Sequence, residues 1–207
     1  MADNYAIQMA NAQKFFLTYD QEMLIRKFRL KADENYLYFT MFAAPYRLSR
    51  HSGSLEKFSA TWRDANTFGE VMTALDILCD SKEDRHLTGH WASTQVFGKH
   101  IHTGLLEIER DPLADLFDQT PGSLEKACLA LGGRAISGGD EAYAVEVMDG
   151  LEIGIFFWAS DEEFPAQLRF YWDENALMYI RYETMHYTLG LLRQLLRADI
   201  ESVPTTN

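Results

Sequence analysis

The stretch EAYAVEVMDGLEIGIFF, Glu141 to Phe157, leaves a chain little freedom. Tyr143, Val145 and Val147 alternate with smaller or polar residues, and Leu151, Ile153, Ile155 and Phe157 repeat the alternation. A period of two places each set on one face of a strand. Between them, Asp149-Gly150 is a two-residue hairpin turn, since both central positions need positive φ. Leu168, Phe170 and Trp172 give a third alternating run. The pattern predicts a β-meander with one face rich in large apolar groups, which must be buried against other elements.

Upstream the signals are less regular. Tyr5, Met9, Ala12, Phe16 and Tyr19 recur at three- and four-residue steps, so Asn4 to about Phe28 reads as helix, interrupted at Thr18 to Asp20. NYLYFTMF, Asn35 to Phe42, is aromatic and β-branched and reads as a strand covered on both faces. The following AAP breaks it, and Tyr46 to Ser49 returns as a second strand. His51 to Asn66 is polar and shows no clear period. Thr67 and Glu70 form a capping box, with Val71, Leu75 and Leu78 as the buried stripe of a helix ending near Cys79. Asp80 to Gly104 reads as irregular. Asp111-Pro112 and Thr120-Pro121 each start a short helix, the second stopping at Gly132-Gly133. After Trp172 a helix starts near Asp173 to Asn175 and breaks near Arg181. It carries Leu177, Ile180, Met185, Leu189, Leu192 and Leu196 along one side. No repeat or linker divides the chain. The expected architecture is a single α+β domain over residues 1–201, a mostly antiparallel sheet with a C-terminal β-meander packed by helices. A frayed polar tail follows at 202–207.

With 207 residues the chain is long enough for one sizeable core, and 47% hydrophobic content excludes a mainly disordered one. Against 31 acids stand 19 bases, for a net charge of -12. The Lys and Arg residues gather into no compensating basic run. Such a surface repels phosphate backbones, so nucleic acid is not an expected partner. Cys79 and Cys128 form no CxxC pair and read as core thiols. The start, MADNYAIQMANAQKFF, does not read as a signal peptide, and no apolar stretch is long enough to span a membrane. A cytoplasmic protein is the expectation.

The densest acidic feature is SDEEFPAQLRFYWDENA, Ser160 to Ala176. Asp161, Glu162 and Glu163 join two expected strands, in the kind of loop where a rigid scaffold carries function. Adjacent carboxylates repel, cheaply in water and at a cost when buried. The loop is therefore either solvated or faces something positive, with Arg169, Arg181 and Arg134 as candidates. Phe164-Pro165 suggests an anchored loop of fixed shape. Asp173 and Glu174 fit N-cap and first-turn roles in the following helix. Glu183 and His186, three apart on a helix, have the spacing of a carboxylate–imidazole metal pair, although no second such pair occurs. His86, His90, His100 and His102 crowd one segment, and His100 and His102 share a face if it is extended. Together these groups are the candidates for holding a divalent metal. Trp91, Trp158 and Trp172 are candidates for lining an aromatic pocket. Gly132-Gly133 and Gly138-Gly139 fit a helix stop and a turn, and no nucleophile elbow, P-loop or dinucleotide fingerprint is present.

The segments GEVMTALDILCDSK, LTGHWAS, SGGDEAYAVEVMDGLEIGIFFW, DEEFPAQLRFYWDENALMYI and YETMHYTLGLL together resemble a family known as domain of unknown function 3786. The likeness runs from about Tyr36 to Leu196. Its most specific elements are Asp161 to Pro165 with the aromatic strand and Asp173 behind it, the Gly139-Asp140 turn, and Gly89-x-Trp91. The resemblance implies a soluble cytoplasmic domain of an anaerobe-associated family, some members being linked to iron–sulfur or corrinoid proteins. It brings no catalytic residues with it. The functional expectation is a non-catalytic binding or interaction protein for a protein partner or small molecule, with Asp161, Glu162, Glu163, Trp91 and Arg169 as contact residues. The alternative is a metal-dependent, hydrolase-like enzyme whose divalent ion is held by the acidic loop with Glu183, His186, His100 and His102. Oligomeric state, a homodimer included, stays open.

Overall fold

The computed structural model describes residues 4–97 and 110–201. Two helices open the chain, α1 (Asn4–Phe16) and α2 (Gln21–Phe28). They part at the expected interruption, where the Asp20 carboxylate caps α2 by accepting the Met23 amide at 3.1 Å. Five strands follow: β1 (Lys31–Ala32), β2 (Tyr36–Met41), β3 (Ala44–Ser49), β4 (Leu55–Ser59) and β5 (Thr61–Asp64). They pair antiparallel in that order.

β2 is covered on one side only, contrary to its composition. Leu37 and Met41 are buried, whereas Tyr36 and Tyr38 are half-buried and Thr40 is exposed. The second face carries a ladder open to solvent instead. There the Arg47 guanidinium lies over the Tyr36 and Trp62 rings at 4.0 and 4.5 Å and donates from Nε to Glu56 at 2.7 Å. The β4–β5 hairpin occupies the stretch without a period. Glu56, Lys57, Arg63 and Asp64 fill its pairs and hide the alternation.

The β2–β3 turn is Phe42-Ala43, both at positive φ (48° and 58°). That region is uncommon for Phe. Burial of the ring, and a 3.0 Å hydrogen bond from the Phe42 amide to the Val147 carbonyl, hold it there and join the first sheet to the second.

The rest of the chain runs α3 (Phe68–Asp80), β6 (Trp91–Ser93), α4 (Thr94–Phe97), α5 (Leu113–Gln119), α6 (Ser123–Ala130), β7 (Arg134–Ala135), β8 (Glu141–Met148), β9 (Leu151–Trp158), β10 (Gln167–Asp173) and α7 (Tyr182–Glu201). The second sheet is also antiparallel, in the order β6-β10-β9-β8-β7. Asp149 and Gly150 take positive φ as their chemistry requires (55° and 82°). The alternating apolar sets of β8, β9 and β10 are buried, including Val145, Val147, Ile153, Ile155, Leu168 and Trp172. The architecture is α+β, with two five-stranded sheets where one was expected.

Helix starts and stops follow local chemistry. Thr67 caps α3 by accepting the Glu70 amide at 3.3 Å, but Glu70 turns inward and accepts from the Tyr46 hydroxyl at 2.9 Å. α6 ends at Gly132-Gly133, with the Gly133 amide donating back to the Cys128 carbonyl at 2.8 Å. The break near Arg181 is real: a short 3₁₀ turn (Ala176–Met178) precedes α7, and the Arg181 amide donates to the Asp76 carboxylate at 2.7 Å. α3 and α7 approach closely where Thr73 and Thr188 share a buried hydroxyl hydrogen bond of 2.8 Å.

Candidate ligand-binding cleft

The acidic loop closes on itself. The Asp161 carboxylate accepts the Glu163 and Phe164 amides at 2.8 and 2.7 Å, and those two donors hold it below the usual carboxylate range. Its entry is tethered by Ser160, which donates from its amide and hydroxyl to Asp118 at 3.0 and 2.7 Å. Glu162 and Glu163 are exposed. Phe164 is 60% exposed and therefore does not anchor the loop in the core. None of the expected arginines faces the triplet. Arg169 bonds Gln167, Arg134 bonds Glu152, and Arg181 pairs with Asp76 and Asp80. The five carboxylates gathered around this strand thus include one that closes a turn, two that are solvated, and a pair at the start of the next segment.

In that last pair, Asp173 is buried and accepts from the amides of Thr88, Gly89 and Asn175 at 3.0, 2.7 and 2.8 Å, and from the Thr88 hydroxyl at 3.1 Å. The expected N-cap role is not met, since no α-helix starts there: the carboxylate satisfies mostly the amides of a segment 84 residues away in sequence. The adjoining Glu174 amide donates to the His90 carbonyl at 3.0 Å. Asp173 is therefore a clasp that fixes residues 87–90 against β10.

The remaining candidates scatter. Trp91 and Arg169 share the outer face of the second sheet, linked through Phe156, which lies 6.4 Å from Trp91 and 6.3 Å from Trp158, while Arg169 sits 6.0 Å over Trp158. Trp172 is fully buried on the opposite face. Glu183 is exposed, and His186 packs edge-on to Tyr182 at 5.2 Å with its Nε2 buried and unpartnered. Burial lowers the His186 pKa, opposed by Glu183 and reinforced by Arg193. His100 and His102 lie outside the described residues. His86 and His90 are exposed; His86 contacts the Asp84 carbonyl, and His90 stands 3.6 Å from Glu174. Among the described residues, no three His, Cys, Asp or Glu side chains group as metal ligands would.

A cleft of about 480 Å³ instead opens between the end of α2, the part of β2 that runs beyond its pairing with β1, and the β8–β9 hairpin. Its lining includes Tyr38 and Trp62, from the outer face of the first sheet, and Phe39 and Tyr46, from the inner face, where the Tyr46 ring is fully buried. Phe39 and Tyr46 stack at 6.0 Å with planes 8° apart, and Tyr38 and Trp62 lie 6.1 Å apart. These rings are fixed from behind. Burial raises the Tyr46 phenol strongly, helped by Glu70, so it stays a neutral donor. The Tyr38 hydroxyl donates to Asp33 at 2.7 Å, a bond that raises its own pKa and lowers that of Asp33.

The two lips differ in charge. On one, α2 ends with the Leu30 amide donating back to Ile25 at 3.0 Å and Arg29 in the left-handed region, φ 52°. Glycine is the usual residue there. Arg29 and Lys31 are exposed along this lip, and among the described residues neither has an ion-pair partner. On the other lip, both carboxylates are engaged. Glu146 accepts the Gly150 amide at 2.8 Å, and Asp149 takes the Arg85 guanidinium at 2.6 Å. Arg85 in turn lies 4.5 Å over Phe28 and donates to the Lys27 carbonyl at 3.2 Å, locking the hairpin to α2.

The cleft's cations belong to a run that the composition obscured. Arg26, Lys27, Arg29 and Lys31 place four of the 19 bases within six residues. Lys27 alone turns inward, its side chain 5% exposed, 3.7 Å from Glu83 and donating to the Ser81 carbonyl. The run was visible as RKFRLK, and it overturns the expectation that the bases do not cluster. The aromatic lining had no such signal, because its residues come from β2, β3 and β5 and meet only through sheet pairing.

The fold is that of an α+β protein with two antiparallel meanders and an open cleft between them. The chain belongs to the family described as Domain of unknown function (DUF3786), which matches residues 20–194. No curated protein and no solved structure matches it. Two of the segments that carried the family resemblance, Thr88 to Trp91 and the strand ending in Asp173, are the two halves of the clasp.

Proposed function

We propose that the protein is a non-catalytic binding protein of the cytoplasm and that the cleft between its sheets is the ligand site. The observation that carries this reading is that aromatic residues of the first sheet and a lip with two cations, neither ion-paired among the described residues, meet around about 480 Å³. That volume is in the range of small-molecule sites, and aromatic surface with a few placed polar groups is their usual lining. The acidic loop, proposed from sequence as a contact surface, has its first carboxylate committed to its own turn. No helix among the described residues is long and apolar enough to cross a membrane.

The test is a thermal-shift screen of small molecules followed by amide chemical-shift mapping. The expected hits move resonances of residues 29–31, 38–46 and 146–149, and Trp62→Ala abolishes them. Hits that map instead to the acidic loop or to Glu183 and His186 would overturn the assignment and favour the metal-dependent alternative.

A further inference from the structure

We infer that the cleft takes a planar anion, a flat aromatic body bearing one acidic group. The inference rests on the binding reading above and adds the chemical class of the ligand. The protein as a whole carries a net charge of -12, yet the lip formed by Arg29 and Lys31 is positive, with Arg26 exposed beside them. Other exposed cations, Arg26 and Arg63 among them, also pair with no described carboxylate, but Arg29 and Lys31 are the two that line the cleft. The carboxylates opposite do not pair with these two, since Glu146 is held by its own hairpin amide and Asp149 by Arg85. With Asp149 paired to Arg85, the two cations of the lining exceed its remaining carboxylate, Glu146, by one charge, and Tyr38 beside Trp62 offers a ring an aromatic surface.

Arg29 supplies a second, independent observation. Five non-glycine residues take the left-handed region, the other four in turns; Arg29 is the one at the end of a helix, where glycine is usual. Glycine would close α2 more easily, but glycine cannot reach a ligand. Arg29 and Lys31 lie two residues apart beside Tyr38, with which Lys31 pairs across β1–β2. A ring resting on Tyr38, beside Trp62 and the Arg47 guanidinium that covers it, would stand next to Lys31, with Arg29 two residues away. Guanidinium is the better partner for carboxylate, sulfonate or phosphate, because its fork matches two oxygens at once.

The test uses two fluorescent probes with the same ring frame. 8-Anilinonaphthalene-1-sulfonate carries the anion, and N-phenyl-1-naphthylamine lacks it. The sulfonate probe should bind the folded protein, and raising salt should weaken it. Arg29→Gln with Lys31→Gln should weaken it at least about tenfold while leaving the neutral probe unchanged. Arg29→Gly separates binding from folding: its melting point should hold or rise as the backbone strain is relieved, while sulfonate affinity falls. Equal binding of both probes, unmoved by the double variant, would overturn the anion inference and leave the cleft reading standing. Binding of neither probe, or binding indifferent to Trp62→Ala, would overturn both.

Discussion

Asp173→Ala is the most informative perturbation of the fold. The carboxylate is 4% exposed and receives four donors, three of them main-chain amides. Hydrogen bonds to a charged acceptor contribute about 1.5–3 kcal/mol each, so a plain sum would approach 10 kcal/mol. That sum is too large. Thr88 and Gly89 are exposed residues, and their amides regain water once the loop lifts. The net loss is then about 3 kcal/mol, the difference between charge-assisted bonds and water, plus the loosened packing of residues 87–90. For a chain of this size that lowers the melting point by about 6–12 °C. Asp173→Asn should cost nearly as much, because its amide nitrogen faces donors where an oxygen is needed. Urea unfolding of the three proteins measures the loss, and hydrogen exchange at Thr88 and Gly89 locates it. A loss under about 1 kcal/mol for Asp173→Ala, or fast exchange at both amides in the parent protein, would refute the clasp.

Other outcomes follow from the same structure. Burial pushes the Asp76 carboxyl up to about 6 against the lowering by Arg181. The folded state therefore holds this proton more tightly than the unfolded chain. The contribution is fully present below about pH 4 and is lost as pH rises through 6, on the order of 2–3 kcal/mol. Urea midpoints of Asp76→Asn should lack that component between pH 4 and 7, and an unchanged difference between the two proteins would refute it. Burial pushes the Cys79 and Cys128 thiols up to about 12, so an aromatic disulfide reagent at pH 8 should label neither until urea unfolds the protein. Gly139 sits at φ 60° with the Phe157 carbonyl oxygen 2.5 Å from where a Cβ would lie, so Gly139→Ala should cost more than about 2 kcal/mol in urea unfolding. Dialysis against a chelator should leave the melting point unchanged; a fall would argue for the metal-dependent alternative.

The parts of the fold legible in the sequence are those decided by neighbours in the chain. The β8–β10 meander could be read because one face of each strand is buried and the Asp-Gly pair allows one kind of turn. The cap at Thr67 and the stop at Gly132-Gly133 are equally local. Phe42-Ala43 and Arg29 were illegible for the opposite reason. Each holds a backbone shape that its own chemistry resists, and in Phe42 a contact from the other sheet overrules local preference. The β4–β5 hairpin was hidden by charge on both faces. At the site, RKFRLK was on view but merged with a helix end. Asp161 looked like half of a charge pair because sequence does not reveal that its acceptors are filled by amides two and three residues on.

The two-meander arrangement also sets the order in which the chain can assemble. Every neighbouring pair in the first sheet, and every pair but one in the second, joins strands consecutive along the chain. Such pairs close short loops and cost little chain entropy, which favours fast formation. The exception is β6, which must wait for β10, and the Asp173 clasp completes the same junction. The Thr73–Thr188 contact spans 115 residues and closes later still in synthesis. During translation the first sheet can therefore complete while α3 keeps its α7-facing side open. The last steps are the arrival of α7 and the seating of β6, which leaves residues 81–93 open to a protease or chaperone until β10 is made.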